Sequence, residues 1–89
     1  MNRARITIIG DVHGVGFRHH ARAQAQQLGL VGYVRNRPEG GVECCVEGDE
    51  IAIDGFTNWC KHGPQLAHIE SVSVEPERYV QEFQRFEIR

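Results

Sequence analysis

No stretch of this sequence approaches the roughly 20 consecutive apolar residues that a membrane-spanning helix needs. The first residues, Met1-Asn2-Arg3-Ala4-Arg5, run straight into a strand pattern, without the apolar region of a secretory signal. The expectation is a cytoplasmic protein with no membrane partner. A basic excess is missing too: 10 Lys and Arg stand against 12 Asp and Glu, a net charge of −2. No overall positive field therefore draws the chain to nucleic acid. Cysteine is scarce and odd in number, with Cys44, Cys45 and Cys60, which is no disulfide framework. Cys44 and Cys45 are neighbours in a strand pattern and point to opposite faces. Neither belongs to a spaced pair of the zinc-ligand kind. They read as small buried hydrophobes, with one more exposed thiol among the three. Internal repeats, linkers and low-complexity segments are absent as well. What remains is 89 residues, 40% of them hydrophobic, read as a single domain over residues 1–89 with one modest core.

Histidine is plentiful, with His13, His19, His20, His62 and His68, but its spacing does not suit a metal. His19 and His20 are adjacent, so on a helix they diverge by roughly 100°. They do not form the i, i+4 pair that a helical zinc site uses. The expectation is no metal and no cofactor, with His19 and His20 near the site as solvated or weakly electrostatic side chains.

The stretch that organises the chain is Gly10-Asp11-Val12-His13-Gly14-Val15-Gly16-Phe17-Arg18. It joins an apolar strand pattern to an Ala/Gln-rich helix pattern. Glycines at 10, 14 and 16 permit positive φ and a close approach of the backbone to a ligand. Successive amides in such a loop converge into a concave set of donors. The following helix adds its own unpaired N–H groups and the positive end of its dipole. Arg18 ends the loop with a planar fork suited to bidentate phosphate binding. The local chemistry is a cradle for an oxyanion.

The remaining pattern predicts the fold. Residues 3–12 alternate as a first strand, with Ala4, Ile6, Ile8, Gly10 and Val12 on one face. A helix from about 19 to 28 follows, its buried stripe made of Phe17, Ala21, Ala25 and Leu28, ended by Gly29. A second strand over 30–37, a turn at Pro38-Glu39-Gly40-Gly41 and a third strand over 42–47 form a hairpin. In the third strand Val42, Cys44 and Val46 face inward, and Glu43, Cys45 and Glu47 face solvent. Glu70 is likewise expected to be solvated. Asp49 caps a second helix over 50–61, carried by Ile53, Phe56 and Cys60. His62-Gly63-Pro64 stops it. A fourth strand over 69–75 ends at Pro76, and a short last strand spans 83–89. This β-α-β-β-α-β order with a terminal strand predicts a ferredoxin-like α/β (α+β) sandwich. Its sheet is of antiparallel type, four strands plus a short C-terminal one, with both helices on one face.

The segment Gly10-x-Val12-x-Gly14-Val15-x-Phe17-Arg18 resembles the signature of the acylphosphatase family. Gly32-Tyr33-Val34-Arg35-Asn36 with the turn Glu39-Gly40, and Gly63-Pro64 followed by Ala67, resemble two further motifs of that family, in the same order. The resemblance covers nearly the whole chain and implies the same fold. It implies an enzyme that hydrolyses an acyl phosphate to a carboxylate and inorganic phosphate. No exposed apolar patch forces association, so a monomer is expected. Arg18 matches the family's phosphate-binding arginine and Asn36 its water-positioning asparagine. His13, Gly14, Val15, Gly16 and Phe17 would contribute backbone N–H groups to the phosphate. Two departures are visible. His13 stands where Gln is common, with little effect expected because the backbone N–H is the functional atom. Glu39-Gly40-Gly41 stands where Asp-Gly and a small polar residue are common, which is expected to loosen the turn.

Two other functions fit parts of the pattern. One is a non-catalytic anion-binding or regulatory module using the same cradle. A related domain also stands at the front of large carbamoyl-transferring maturation proteins, a context that the end of the sequence at Arg89 argues against. The other is an RNA-recognition module, which shares the element order. That module needs exposed aromatics on its central strands, and Val42-Glu43-Cys44-Cys45-Val46-Glu47 has none.

Overall fold

The computed structural model describes all of residues 1–89. The elements run β1 (Asn2–Asp11), α1 (Phe17–Gln27), β2 (Val31–Asn36), β3 (Val42–Gly48), α2 (Glu50–Cys60), β4 (His68–Glu77) and β5 (Phe86–Ile88). The five strands form one sheet in the order β4-β1-β3-β2-β5. All neighbours are antiparallel except β2 and β5, which run parallel. The sheet is therefore mixed, and its antiparallel four-strand part is the ferredoxin-like arrangement that the sequence pattern predicts.

One face carries the main core. Ala4, Ile6 and Ile8 of β1, Val42, Cys44 and Val46 of β3 and Val34 of β2 meet Phe17, Ala21 and Ala25 of α1 and Ile53, Phe56 and Cys60 of α2. Trp59 bridges the helices, its ring 5.3 Å from Phe17 and 6.1 Å from Phe56. Helix α1 starts at Phe17, two residues earlier than the pattern predicts, because Gly16 at φ 74° supplies the turn into it. Its end is the predicted one. The Leu30 N–H reaches Ala25 O at 2.9 Å and the Gly29 N–H reaches Gln26 O at 3.1 Å, with Gly29 at φ 75°, a Schellman closure.

The opposite face departs from expectation. Every residue of β3 is buried, including Glu43 and Glu47, the latter only 1% exposed. Residues 78–85, which follow β4, send a cover over this face. The Val80, Glu82 and Phe83 N–H groups donate to the Glu47 carboxylate at 3.2, 2.9 and 3.4 Å. Arg3, in register with Glu47 across the sheet, adds an ion pair at 3.3 Å. Glu43 accepts from the Tyr33 hydroxyl at 2.6 Å and from Arg35 Nε at 3.0 Å, and pairs with Arg5 at 3.3 Å. The two carboxylates are buried because every charge brought inside is met by donors, the condition for such burial. Burial alone would raise both carboxyls. Hydrogen bonds outweigh it and hold them below the usual value, from Val80 and Arg3 at Glu47 and from Arg35 and Tyr33 at Glu43. A small second cluster of Tyr33, Cys45 and Phe83 lies beside them. Glu70 is exposed, as expected.

Three smaller corrections follow from the same packing. No thiol is exposed: Cys44, Cys45 and Cys60 are all buried, and burial pushes the Cys44 thiol well up. Pro76 does not end β4, which continues to Glu77 with Pro76 opposite Ala4. This is an edge strand, where a missing N–H toward solvent costs nothing. Asp49 stands at the N-cap of α2, but its side chain makes no capping hydrogen bond.

Candidate active site

Strands β1, β2 and β5 point the same way, so their carboxyl ends lie together at one end of the sheet. The pairing of β1 with β4 shifts register between Ile9 and Gly10. Here the backbone of β4 comes so close that a Cβ on Gly10 would lie 2.1 Å from His68 O. Only glycine permits that approach. The chain then curls through residues 12–16 into α1.

Gly14 and Gly16 both sit at φ 74°, a backbone that breaks strand pairing and suits a nest of successive amides. The N–H groups of His13, Gly14, Val15 and Gly16 donate to nothing within the protein. Those of Phe17, Arg18 and His19 lie in the first turn of α1 and have no acceptor in their own helix. The first α1 bond closes only with His20 N–H to Gly16 O at 3.0 Å. A run of unpaired donors thus meets the positive end of a helix dipole, the arrangement that attracts an anion.

A cavity of about 230 Å³ opens at this point, lined by Val12, Gly14, Gly16, Phe17, Arg18, His19, Asn36 and Ile88. Arg18 enters it from the first turn of α1. Its Nη1 donates to the main-chain oxygen of Arg89 at 3.2 Å, which braces the guanidinium from the β5 side. Asn36 enters from the last position of β2, opposite Val42 in the hairpin register. The structure therefore brings Gly14, Gly16, Phe17, Arg18 and Asn36 to one cavity, although 18 and 36 lie on different elements. His13 and Val15 do not line it. The His13 imidazole turns to the hairpin, and Val15 packs on the core.

Val12 and Ile88 join the wall beyond the residues that the sequence points to. Val12 sits inside the glycine stretch, so its place was readable. Ile88 comes from β5, paired with Val34, and nothing local to residues 83–89 marks it. The His19 and His20 rings pack edge to face at 5.4 Å. No group of three or more His, Cys, Asp or Glu side chains is placed to hold a metal ion. No helix is long and apolar enough to cross a membrane.

The chain and its fold are similar to those of known proteins. A model of the acylphosphatase family matches residues 4–88. An acylphosphatase of Geobacter sulfurreducens is 48% identical over 87 residues, 98% of this chain and 96% of that protein. An acylphosphatase of Aeropyrum pernix is 48% identical over 88 residues, 98% of this chain and 87% of its own length. Among solved structures, the crystal structure of an acylphosphatase from Bacillus subtilis superposes with a TM-score of 0.95 at 36% identity, covering 100% of this chain and 99% of that one. A full-length HypF structure, in a phosphate- and nucleotide-bound form, matches with a TM-score of 0.87 at 33% identity, covering 99% of this chain but 12% of HypF.

Proposed function

Because the chain belongs to the acylphosphatase family and is an enzyme of that class, we propose that its cavity holds the phosphoryl group of an acyl phosphate and that Arg18 and Asn36 carry the hydrolysis. The observation that supports this most is a single cavity lined by Gly14, Gly16, Phe17, Arg18 and Asn36 at a loop whose amides donate to nothing within the protein.

The chemistry asks little more. The leaving group is a carboxylate, whose conjugate acid has a pKa of about 4, so it departs without a general acid. The transferring phosphoryl group gathers charge on its oxygens, and preorganised donors aimed at that charge lower the barrier. The loop amides and Arg18 supply those donors. The attacking water must be held in line, and the Asn36 amide can both accept from it and donate to it. Asn36 is no base, so the proton passes to the phosphate oxygens. Small activated carboxylates fit a cavity of this size, and benzoyl phosphate serves as a probe.

Asn36→Ala separates binding from chemistry. Its kcat on benzoyl phosphate is expected to fall by about 10²-fold, the cost of misplacing one reactant. KM and the inhibition constant of inorganic phosphate should stay near the wild-type values. A variant that keeps its kcat but loses phosphate affinity would remove Asn36 from the water-positioning role. Folded wild type that binds phosphate without turning over benzoyl phosphate would instead favour a non-catalytic anion-binding module.

A further inference from the structure

The phosphate loop and the hairpin that presents Asn36 are separate segments, and one side chain joins them. His13 Nε2 lies 2.7 Å from the carbonyl oxygen of Gly41. That oxygen also accepts the Arg37 N–H at 3.0 Å, and the Gly40 N–H closes the turn onto Arg37 O at 3.1 Å. The turn expected to be loose is closed by these bonds. Gly41 is itself pinned against β1, where a Cβ would lie 2.4 Å from Ile8 O. Its carbonyl is therefore a fixed point, shared between β1, the hairpin and the loop.

We propose that His13 is a positioning residue for the hydrolysis, its imidazole setting the distance between the phosphate cradle and Asn36. This role rests on the functional reading above. The acceptor is a carbonyl, so Nε2 carries the hydrogen and donates it. His13 is exposed, so it adds little to the core. Within residues 12–18 the only other side-chain hydrogen bond is that of Arg18 to Arg89. Without the imidazole, no side-chain hydrogen bond would tie the loop to the hairpin. An in-line attack depends on that separation, since a displacement of about 1 Å can cost up to 10²-fold in rate.

The test compares wild type with His13→Ala, His13→Phe and His13→Gln on benzoyl phosphate, with inorganic phosphate as inhibitor and thermal unfolding as a control. Ala removes the donor, Phe keeps a ring without one, and Gln offers an amide N–H of similar reach. The expected result is a fall in kcat of about tenfold for Ala and Phe, with KM and phosphate inhibition little moved and Tm within a few degrees, and recovery of most of that loss in Gln. A wild-type kcat in His13→Ala overturns the role. So does an equal loss in Ala and Gln, or a kcat loss that follows Tm across the series. Failure of the wild type itself to release phosphate overturns the functional reading and this role with it, and is told apart from the other outcomes by the wild-type rate alone.

Discussion

Arg18→Ala is expected to lower phosphate release from benzoyl phosphate by about 10³-fold or more, the scale on which an arginine facing a transferring phosphoryl group acts. Arg18 stands in the first turn of α1, half-buried, with its guanidinium braced by the Arg89 main-chain oxygen, and it lines the cavity that Asn36 also lines. Arg18→Lys should recover little. An ammonium keeps the charge but is a point donor, and it cannot present two parallel N–H groups to two phosphate oxygens while a third nitrogen stays braced. Both variants should also bind inorganic phosphate more weakly, because the guanidinium contacts the group in its ground state as well as during transfer. The loop amides would remain, so residual binding through the cradle is expected. Steady-state kinetics with phosphate inhibition measures both effects. A lysine variant running near the wild-type rate would show that a single positive charge suffices and that the fork has no part in catalysis.

The largest expected loss of stability is at Glu47, far from the cavity. Glu47→Ala strips the acceptor from the Val80, Glu82 and Phe83 N–H groups and leaves Arg3 with one partner fewer. Breaking a buried charged pair commonly costs about 3–5 kcal/mol, a large part of the roughly 5–15 kcal/mol a domain has in all. Chemical denaturation should show it. Glu47→Leu should be little better, because a side chain of similar bulk still leaves three amides without an acceptor. A leucine variant as stable as wild type would mean that the cover over β3 is held by apolar contact, chiefly Phe83 against Tyr33 and Cys45. The same site gives the protein an acid limit. The Glu47, Glu43 and Glu77 carboxyls are all held below their ordinary values in the folded state. The folded state therefore binds fewer protons than the unfolded one in that range. Their contribution is complete above the unfolded carboxyl value, about 4.3, and is lost as pH falls through the lowered folded values. Unfolding free energy should drop on acidification below about pH 4, and less steeply in Glu47→Gln than in wild type.

The two faces of the sheet were not equally legible. Ala4, Ile6 and Ile8 against Phe17, Ala21 and Ala25 announced the helix-covered face, since strand and helix periods both place apolar side chains there. The glycines at 10, 14 and 16 with Arg18 announced the cradle, because positive φ and a terminal fork are local properties. Asn36 could be joined to it only through the resemblance of its motif, as an asparagine beside a turn is ordinarily a turn former. The other face misled. Alternating glutamates in a strand read as a solvated edge of the pattern, and nothing within residues 42–48 tells of a cover supplied by residues 78–85. A sign of it was nevertheless present in the register, where Arg3 lies opposite Glu47 and Arg35 opposite Glu43. That pairing exists only once the strand order is known. Ile88 escaped for the same reason: its place in the cavity follows from β5 lying parallel beside β2, a contact between distant segments.

The proposed hydrolysis places the phosphoryl group and the attacking water in one cavity. Initial rates of phosphate release from benzoyl phosphate by the wild-type protein, taken across a series of inorganic phosphate concentrations, test this most directly. Rapid turnover and purely competitive inhibition are expected, with KM rising in proportion to phosphate and kcat constant, if product and substrate phosphoryl groups compete for one set of loop amides and Arg18. Turnover that phosphate does not inhibit, or inhibition that lowers kcat and leaves KM alone, would place the chemistry outside this cavity and contradict the proposal.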